Sequence, residues 1–286
     1  MKRIIALTIL IASMMQLPAQ GQGDPILNSI IKIASPIETA DLIRANNLPY
    51  QPGLLNNANT TYVSPEANAL NLGIYSTNLG YANIYGQSED SQRYLSAVGR
   101  TARAIRFADG HDLSRHINIF DLAANRDNLN KLLEITSETF EKMSEDLQAN
   151  GKSDLAVLIL AGAFIETAHI ISQEANRHPD KQELKNKLIE QKFVLSQILP
   201  VLNNYAANPQ VAQLSMSFQE LQDEMDKYDF QTENTTNGGT EVVKSIGGVE
   251  VISFEGQSQS RDINLSGAEL QKIAGIVSQI RAKIVK

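Results

Sequence analysis

The fold must bury an uninterrupted apolar stretch of 11 residues, Leu155 to Ile165. Ser153 can cap its N-terminus, and the pattern predicts a helix from Asp154 to about Arg177. A helix that is apolar on every side must be covered on every side by other parts of the protein. The stretch is also shorter than the roughly 20 apolar residues that span a bilayer. We therefore predict that this helix forms the centre of a soluble helical fold.

The preceding segment, Arg126 to Asn150, predicts a second helix that packs directly against the first. Its apolar face has the three- and four-residue spacing of a helix. The face comprises Leu129, Leu133, Thr136, Phe140, Met143 and Leu147. Asn150-Gly151 predicts the end of this helix, and the short link that follows favours an antiparallel helical hairpin.

Further helices are predicted by caps, by prolines at first helical positions and by apolar faces. They cover about residues 36–46, 65–85, 89–107, 180–199 with an extension past Pro200 toward Tyr205, 209–228, and a last helix after Ser266. Their predicted caps include Ser35, Ser64, Ser88 and Ser266. Residues 113–124 read as a weak helix or irregular segment, and the Asn-, Pro- and Gly-rich residues 47–63 predict a long loop.

Two β-branched segments, Thr240–Ile246 and Val249–Phe254, flank Gly247-Gly248 and predict a β-hairpin. Such a hairpin is marginal by itself, so it should pack on the helices or on something else. The fold class predicted is mainly α: an antiparallel helical bundle or short α-solenoid with one β-hairpin before the C-terminal helix. The predicted domains are a signal peptide (1–21), a helical domain (22–230), and a linker, hairpin and C-terminal helix packing on it (231–286).

The first residues have the features of a secretory signal peptide. Lys2 and Arg3 precede an uncharged, mostly apolar run from Ile4 to Met15. The small residues Ala19 and Gly21 predict cleavage before Gln22, and cleavage after Ala19 is the competing choice. The alternative to cleavage is a retained signal anchor. We predict a periplasmic or secreted protein with no membrane span after cleavage.

Charge and composition exclude several function classes. The chain has 25 Lys and Arg against 32 Asp and Glu, a net charge of -7, which argues against nucleic acid as a partner. It has no cysteine, which excludes disulfides, thiolate metal sites, thiol nucleophiles and the lipid anchor of bacterial lipoproteins. It also lacks a nucleophile elbow and a phosphate-binding loop after a strand. Catalysis is therefore less favoured than binding, although these absences leave an enzyme possible.

Glu166 and His169 form a Glu-x-x-His pair, the spacing by which di-iron bundles place two ligands on one helix face. A di-iron site needs a second such pair, and the sequence contains none. We interpret Glu166 and His169 as a buried, hydrogen-bonded polar pair. A metal-dependent helical-bundle enzyme is the alternative, and no cofactor is predicted otherwise.

Gly73 and Gly80 lie seven residues apart in a predicted helix. Glycine disfavours helix, so the pair indicates a close approach by another helix or by a ligand. Helix packing is the simpler interpretation. If a pocket exists there, Tyr81, Tyr85 and Asn78 are the first candidates to line it as a small-ligand sensor, with the 47–63 loop as a lid or partner contact.

Arg93, Arg100, Arg103 and Arg106 form the only concentration of basic residues, all on or beside one predicted helix. Guanidinium groups suit carboxylates and phosphates, so Arg93 and Arg100 are candidates to bind an anion, a lipid headgroup or an acidic partner. Pairing with the acidic surface of the protein itself is the favoured interpretation.

Three segments resemble a family of uncharacterised exported α-helical proteins of Gram-negative bacteria. They are Leu72-Gly73-Ile74-Tyr75, Leu79-Gly80-Tyr81-Ala82 and Leu160-Ala161-Gly162-Ala163-Phe164-Ile165-Glu166. The resemblance covers about residues 64–228 and implies an envelope location and a helical fold, without an activity or a site. The sequence therefore predicts an exported, non-catalytic binding or scaffold protein of the cell envelope, with a possible protein partner there.

Overall fold

The computed structural model describes residues 36–125, 128–228, 241–246, 249–254 and 262–286. The helices are α1 (Pro36–Ala45), α2 (Pro65–Ile84), α3 (Ser88–Ala104), α4 (Ile119–Ala124), α5 (Leu129–Ala149), α6 (Ser153–Arg177), α7 (Gln182–Asn204), α8 (Pro209–Met225) and α9 (Gly267–Ile284). Short 3-10 helices cover Pro52–Leu54 and Leu113–His116. The predicted mainly α bundle is confirmed.

Helix α6 is the centre of the bundle. It packs against α1, α2, α5, α7 and α9. From Leu155 to Ile165 every residue except Ala163 is buried, which confirms the predicted central helix. Among the described residues, α6 alone has the length and apolar composition of a membrane span, but 89% of its most apolar window is buried inside the protein. Its hydrophobicity is accounted for by the neighbouring helices.

The backbones of α2 and α6 approach each other through two glycines. A Cβ atom on Gly73 would lie 2.0 Å from the Ile159 carbonyl oxygen, and one on Gly162 would lie 1.9 Å from the Leu70 carbonyl oxygen. The predicted close approach at Gly73 is therefore a helix–helix contact. Gly80 is different, because its nearest neighbour would be the Ile37 side chain at 3.2 Å.

The helix boundaries follow their capping residues in most places. Ser64 accepts a hydrogen bond from the Ala67 amide, and Ser266 forms the predicted capping box with Glu269. The predicted caps at Ser88 and Ser153 are wrong. Each is the first residue of its helix, and the residue before it holds the cap position without a side-chain bond.

The C-terminal part of the fold consists of helices α7 to α9 and of two strands. Helix α7 continues through Pro200 to Asn204, and α9 packs against α6 and α8. Strand β1 (Glu241–Ile246) pairs antiparallel with β2 (Val249–Phe254), with Glu241 opposite Phe254. The signal segment 1–21, the cap Ser35, the linker 231–239 and the turn Gly247-Gly248 lie outside the described residues, so a complete, packed hairpin stays a prediction.

Candidate functional site

A narrow apolar cleft, here called the α2–α5 cleft, lies between α2, α5 and α6. Its volume is about 130 Å³. The floor includes Leu72, Gly73, Ile159 and Leu160, which are all buried. The facing wall comes from α5 and includes Leu132, Thr136, Thr139, Phe140 and Met143. Pro36 and Ile37 of α1 also line it.

Small side chains of α2 line one side of the cleft. Gly73, Ser76, Thr77 and Gly80 have the i, i+3, i+4, i+7 spacing of one helix face. Gly73 and Thr77 contact the backbone of α6, and Gly80 lies beside Ile37 of α1. Helix α5 packs on α6 and on the 3-10 helix Leu113–His116. The cleft therefore lies along the seam where α2 packs on α6, with α5 as the facing wall.

A charge cluster fixes the C-terminal end of α5. The Asp146 carboxylate binds the Arg115 guanidinium at 2.5 Å and the His116 Nε2 at 2.7 Å. Hydrogen bonds from these two groups lower the pKa of Asp146 against the opposing effect of its partial burial. One wall of the cleft is therefore anchored by a salt bridge rather than by contact with α2.

The lining of the cleft is uncharged. Among the described residues, every side chain that lines it is apolar or neutral polar. The Ser76 hydroxyl donates to the Leu72 carbonyl at 2.8 Å, and the Thr77 hydroxyl donates to the Ala163 carbonyl at 3.3 Å. Asn83, Thr136 and Thr139, which are only partly buried, have no side-chain hydrogen bond to the described part of the chain. The cleft thus combines an apolar floor with a neutral, hydrogen-bonding rim.

The Glu166 carboxylate is fully buried and is bound by Arg281 of α9. The Arg281 Nη2 donates to one carboxylate oxygen at 2.9 Å, and its Nε donates to the other. The same guanidinium donates to the Leu54 carbonyl at 3.2 Å. Burial raises the pKa of Glu166 and Arg281 opposes that shift. The pair joins α6, α9 and the loop after α1 in one buried contact.

His169 and Asn78 lie close to this ion pair. Burial, and next the nearby Arg281 charge, lower the pKa of His169 to about 3. The His169 Nδ1 and both polar atoms of the Asn78 amide are buried without a hydrogen-bond partner among the described residues. The Asn78 amide lies near Glu166 and favours its charged form, although it is outside hydrogen-bonding geometry.

This arrangement does not fit the alternative interpretation, a metal site. Both Glu166 oxygens are occupied by a cation, and the same guanidinium disfavours a second positive charge beside His169. In the described part of the chain, no group of three His, Cys, Asp or Glu residues is placed to hold a metal. A protonated guanidinium and a metal ion would compete for the same carboxylate. The interpretation as hydrogen-bonded polar groups fits Glu166, whereas the His169 Nδ1 has no hydrogen-bond partner within the described residues.

The tyrosines proposed as pocket-lining residues instead fasten the 47–63 loop. The Tyr85 hydroxyl donates to the Leu48 carbonyl at 2.9 Å, and the Tyr81 hydroxyl accepts from the Gln51 amide at 3.3 Å. The Tyr81 ring also stacks on Tyr50, and the Tyr85 ring packs against Tyr50 in a tilted geometry. Neither Tyr81 nor Tyr85 lines the α2–α5 cleft.

Other side chains hold the same loop farther along. The Tyr94 hydroxyl donates to the Asn56 carbonyl at 2.9 Å, and the Tyr75 hydroxyl donates to the Asn57 carbonyl at 2.8 Å. With Arg281 on Leu54, the loop is bound at points along most of its length. We therefore interpret it as a fixed cover of the bundle rather than a moving lid.

The arginines of α3 do not form one anion site. Arg93 pairs with Asp90 one turn earlier on the same helix. Arg100 turns toward the loop and donates to the Ala58 and Thr60 carbonyls. Pairing with the acidic residues of the protein, the favoured interpretation of this basic cluster, describes Arg93, whereas Arg100 is bound by backbone carbonyls.

Sequence reasoning missed two features of this site. The first is Arg281, which the sequence analysis did not single out, although its position beside Val277, Ile280 and Ile284 places it toward the inward face of α9. Thr136 and Phe140 were assigned to the face packed on α6, but they line the cleft. The small residues of α2 were the available signal, since they indicated a close approach without saying by what.

No protein-family model, no curated protein and no solved structure matches the chain. The function is therefore argued from the geometry of the described residues.

Proposed function

We propose that the protein is an exported, non-catalytic binding protein of the bacterial cell envelope, and that the α2–α5 cleft is its ligand site. The observation that carries the proposal is an apolar space of about 130 Å³ between helices that share an extensive buried core. Because protein interiors are close-packed, an unfilled apolar space with small residues on one wall indicates a site for a bound ligand. Moving an apolar group from water into it contributes about 25 cal/mol per Å² of buried surface.

The chemistry of the buried polar groups favours binding over catalysis. Glu166, a fully buried carboxylate beside His169, is bound on both oxygens by Arg281. A general acid or base must reach a substrate, and this carboxylate faces other protein atoms. The cleft itself contributes no titratable side chain from the described residues.

The envelope location is part of the proposal and rests on the signal-like residues 1–21 and on the resemblance to exported helical proteins. Apolar molecules dissolve poorly in the aqueous periplasm, so a soluble protein that encloses one has a clear use there.

The strands β1 and β2 must be covered either by the helical domain of this chain or by a protein partner. A two-stranded sheet is marginal in water unless one face is covered. We propose that residues 241–254 pack on the helical domain in the isolated protein. Amide hydrogen exchange tests this: slow exchange across both strands is expected, and exchange at the rate of an unfolded peptide would show that the cover has to come from elsewhere.

An uncharged, unbranched apolar probe, n-hexane, tests the ligand site in the mature chain that begins at Gln22, with binding measured by isothermal titration calorimetry. Saturable binding of one probe per protein is expected. Two cleft-filling variants on opposite walls, Thr139→Phe and Ser76→Leu, should each weaken binding at least tenfold, equivalent to about 1.4 kcal/mol. The matched control is Glu141→Phe, because Glu141 is exposed on the same helix and does not line the cleft.

Circular dichroism and thermal melts establish which variants remain folded. The proposal fails if the wild-type protein shows no saturable binding. It also fails if folded Thr139→Phe and Ser76→Leu bind the probe as well as Glu141→Phe does.

A further inference from the structure

We propose that the α2–α5 cleft takes a single unbranched alkyl chain that ends in an uncharged hydrogen-bonding group, such as a hydroxyl or an amide. This inference rests on the proposed ligand-binding function and adds the class of ligand. It follows from three properties of the cleft: its shape, its lack of charge and its polar rim.

The shape is long and narrow. On α2 the lining residues run from Leu72 to Asn83, and on α5 from Leu132 to Met143. Each stretch is roughly 16 Å long at about 1.5 Å per helical residue. The volume, about 130 Å³, is close to that of a compact engineered cavity that holds benzene, about 150 Å³. The same volume spread along two helices fits an extended chain better than a ring.

The lack of charge excludes an ionised end group inside the cleft. Among the described residues that line it, none is Asp, Glu, His, Lys or Arg. An isolated carboxylate or ammonium group is strongly disfavoured in an apolar space unless a partner of opposite charge meets it. A fatty acid anion would therefore lose much of the affinity that its alkyl chain provides.

The rim supplies neutral hydrogen-bonding groups. The side chains of Asn83, Thr136 and Thr139 are partly exposed and are not committed to hydrogen bonds within the described part of the chain. A hydroxyl both donates and accepts, and an amide does the same. A ligand end group that both donates and accepts hydrogen bonds can bind these side chains. With a pure hydrocarbon ligand, the same side chains would bind only water.

Isothermal titration calorimetry with the intact mature chain tests the ligand class. The probes are n-octanol, cyclooctanol, n-octanoate at pH 8 and n-octylammonium. Cyclooctanol keeps the carbon count and the hydroxyl but changes the shape, and the two ions keep the shape but change the charge. We expect n-octanol to bind, and each of the other three to bind at least tenfold more weakly, about 1.4 kcal/mol.

Mono-octanoylglycerol distinguishes two sources of the alkyl chain of the ligand, a free alcohol and an uncharged lipid. Tighter binding of this glyceride than of n-octanol supports the lipid form of the proposal, and the reverse supports the free alcohol.

The contact with the polar end group of the ligand is tested with Thr139→Val, which removes the threonine hydroxyl at nearly constant shape. It should weaken the binding of n-octanol at least threefold and leave the binding of n-hexane unchanged, because n-hexane has no polar end group. Ser137→Ala is the control on the same helix.

The two proposals fail in different ways. If n-hexane and all the other alkyl probes fail to bind, the cleft is not a ligand site. If n-hexane binds but cyclooctanol or n-octanoate binds as tightly as n-octanol, the proposed ligand class is overturned while the binding function stands.

Discussion

At the scale of single residues, the Glu166–Arg281 pair decides how the interior is interpreted. Its partners are 115 residues apart in the sequence, and Arg281 also reaches the loop at Leu54. A buried ion pair is weak evidence of net stability, but removal of one partner leaves the other charge uncompensated. A substitution at either residue should therefore weaken the contact between α6, α9 and the loop at Leu54.

Arg281→Met should destabilise the protein by about 3 kcal/mol or more, because the Glu166 carboxylate is left buried without its partner. The free energy of unfolding from urea titrations measures the loss. Lys283→Met, at an exposed position on the same helix, should change it by less than about 0.5 kcal/mol. The double variant Glu166→Leu with Arg281→Met should recover much of the loss, and a double variant no more stable than Arg281→Met would contradict this account.

His169 predicts a pH dependence of stability. Its pKa is lowered to about 3 in the folded protein, against a usual value of about 6.5 when unfolded. The unfolded state therefore binds a proton first as the pH falls. The contribution of His169 is fully present above about pH 6.5 and is lost below it, by up to about 1.4 kcal/mol per pH unit.

Urea titrations between pH 7.5 and 5 measure this slope. His169→Gln should flatten it by the titration of one group. An identical pH slope in wild-type and His169→Gln proteins would show that His169 is not held neutral.

At the scale of helices, the contact between α2 and α6 depends on glycine. Gly162→Ala would place a methyl group 1.9 Å from the Leu70 carbonyl oxygen, so the two backbones would have to separate. Overpacking of this kind destabilises by about 1–3 kcal/mol, occasionally more. Gly275→Ala is the control, since no atom lies within 4 Å of its Cβ position in α9, and helix propensity should make it neutral or slightly stabilising.

Thermal melts of the two alanine variants make the comparison. Equal melting temperatures for Gly162→Ala and Gly275→Ala would mean that the backbones of α2 and α6 are not in contact.

The sequence predicted these helices well and their boundaries less well. The apolar run of α6 and the caps at Ser64 and Ser266 are local signals, and each is confirmed. Ser88 and Ser153 were misplaced by one residue, since a serine can cap a helix or begin it, and the backbone turn before it decides which. The partner of Glu166 was out of reach because periodicity assigns residues to faces without saying which faces meet.

At the scale of the whole molecule, the bundle is predictable from pattern, but the cleft is not. The width of a gap between two helices is set by the contacts that each helix makes with other parts of the protein. Here Asp146 fixes the end of α5, and Gly73 packs α2 on α6. Such distances are set by the sum of all contacts. The small residues of α2 indicated only that something comes close.

The proposed export predicts a defined N-terminus. Protein isolated from the periplasm of a Gram-negative host should begin at Gln22, or at Gln20 if cleavage follows Ala19. Intact-protein mass spectrometry distinguishes the two. A chain that keeps Met1 and stays with the membrane fraction would show that the segment is a retained anchor.

The most direct test of the ligand site uses methyl NMR of methionine in the mature chain. Of the six methionines, Met1, Met14 and Met15 lie in the predicted signal segment, which leaves Met143, Met216 and Met225. Met143 lines the cleft, Met216 is 68% exposed elsewhere, and Met225 is buried away from the cleft.

Titration with n-octanol should shift the Met143 methyl resonance in a saturable manner and leave those of Met216 and Met225 in place. A Met143 resonance that does not move, or three resonances that move together, would contradict the assignment of the α2–α5 cleft as the ligand site.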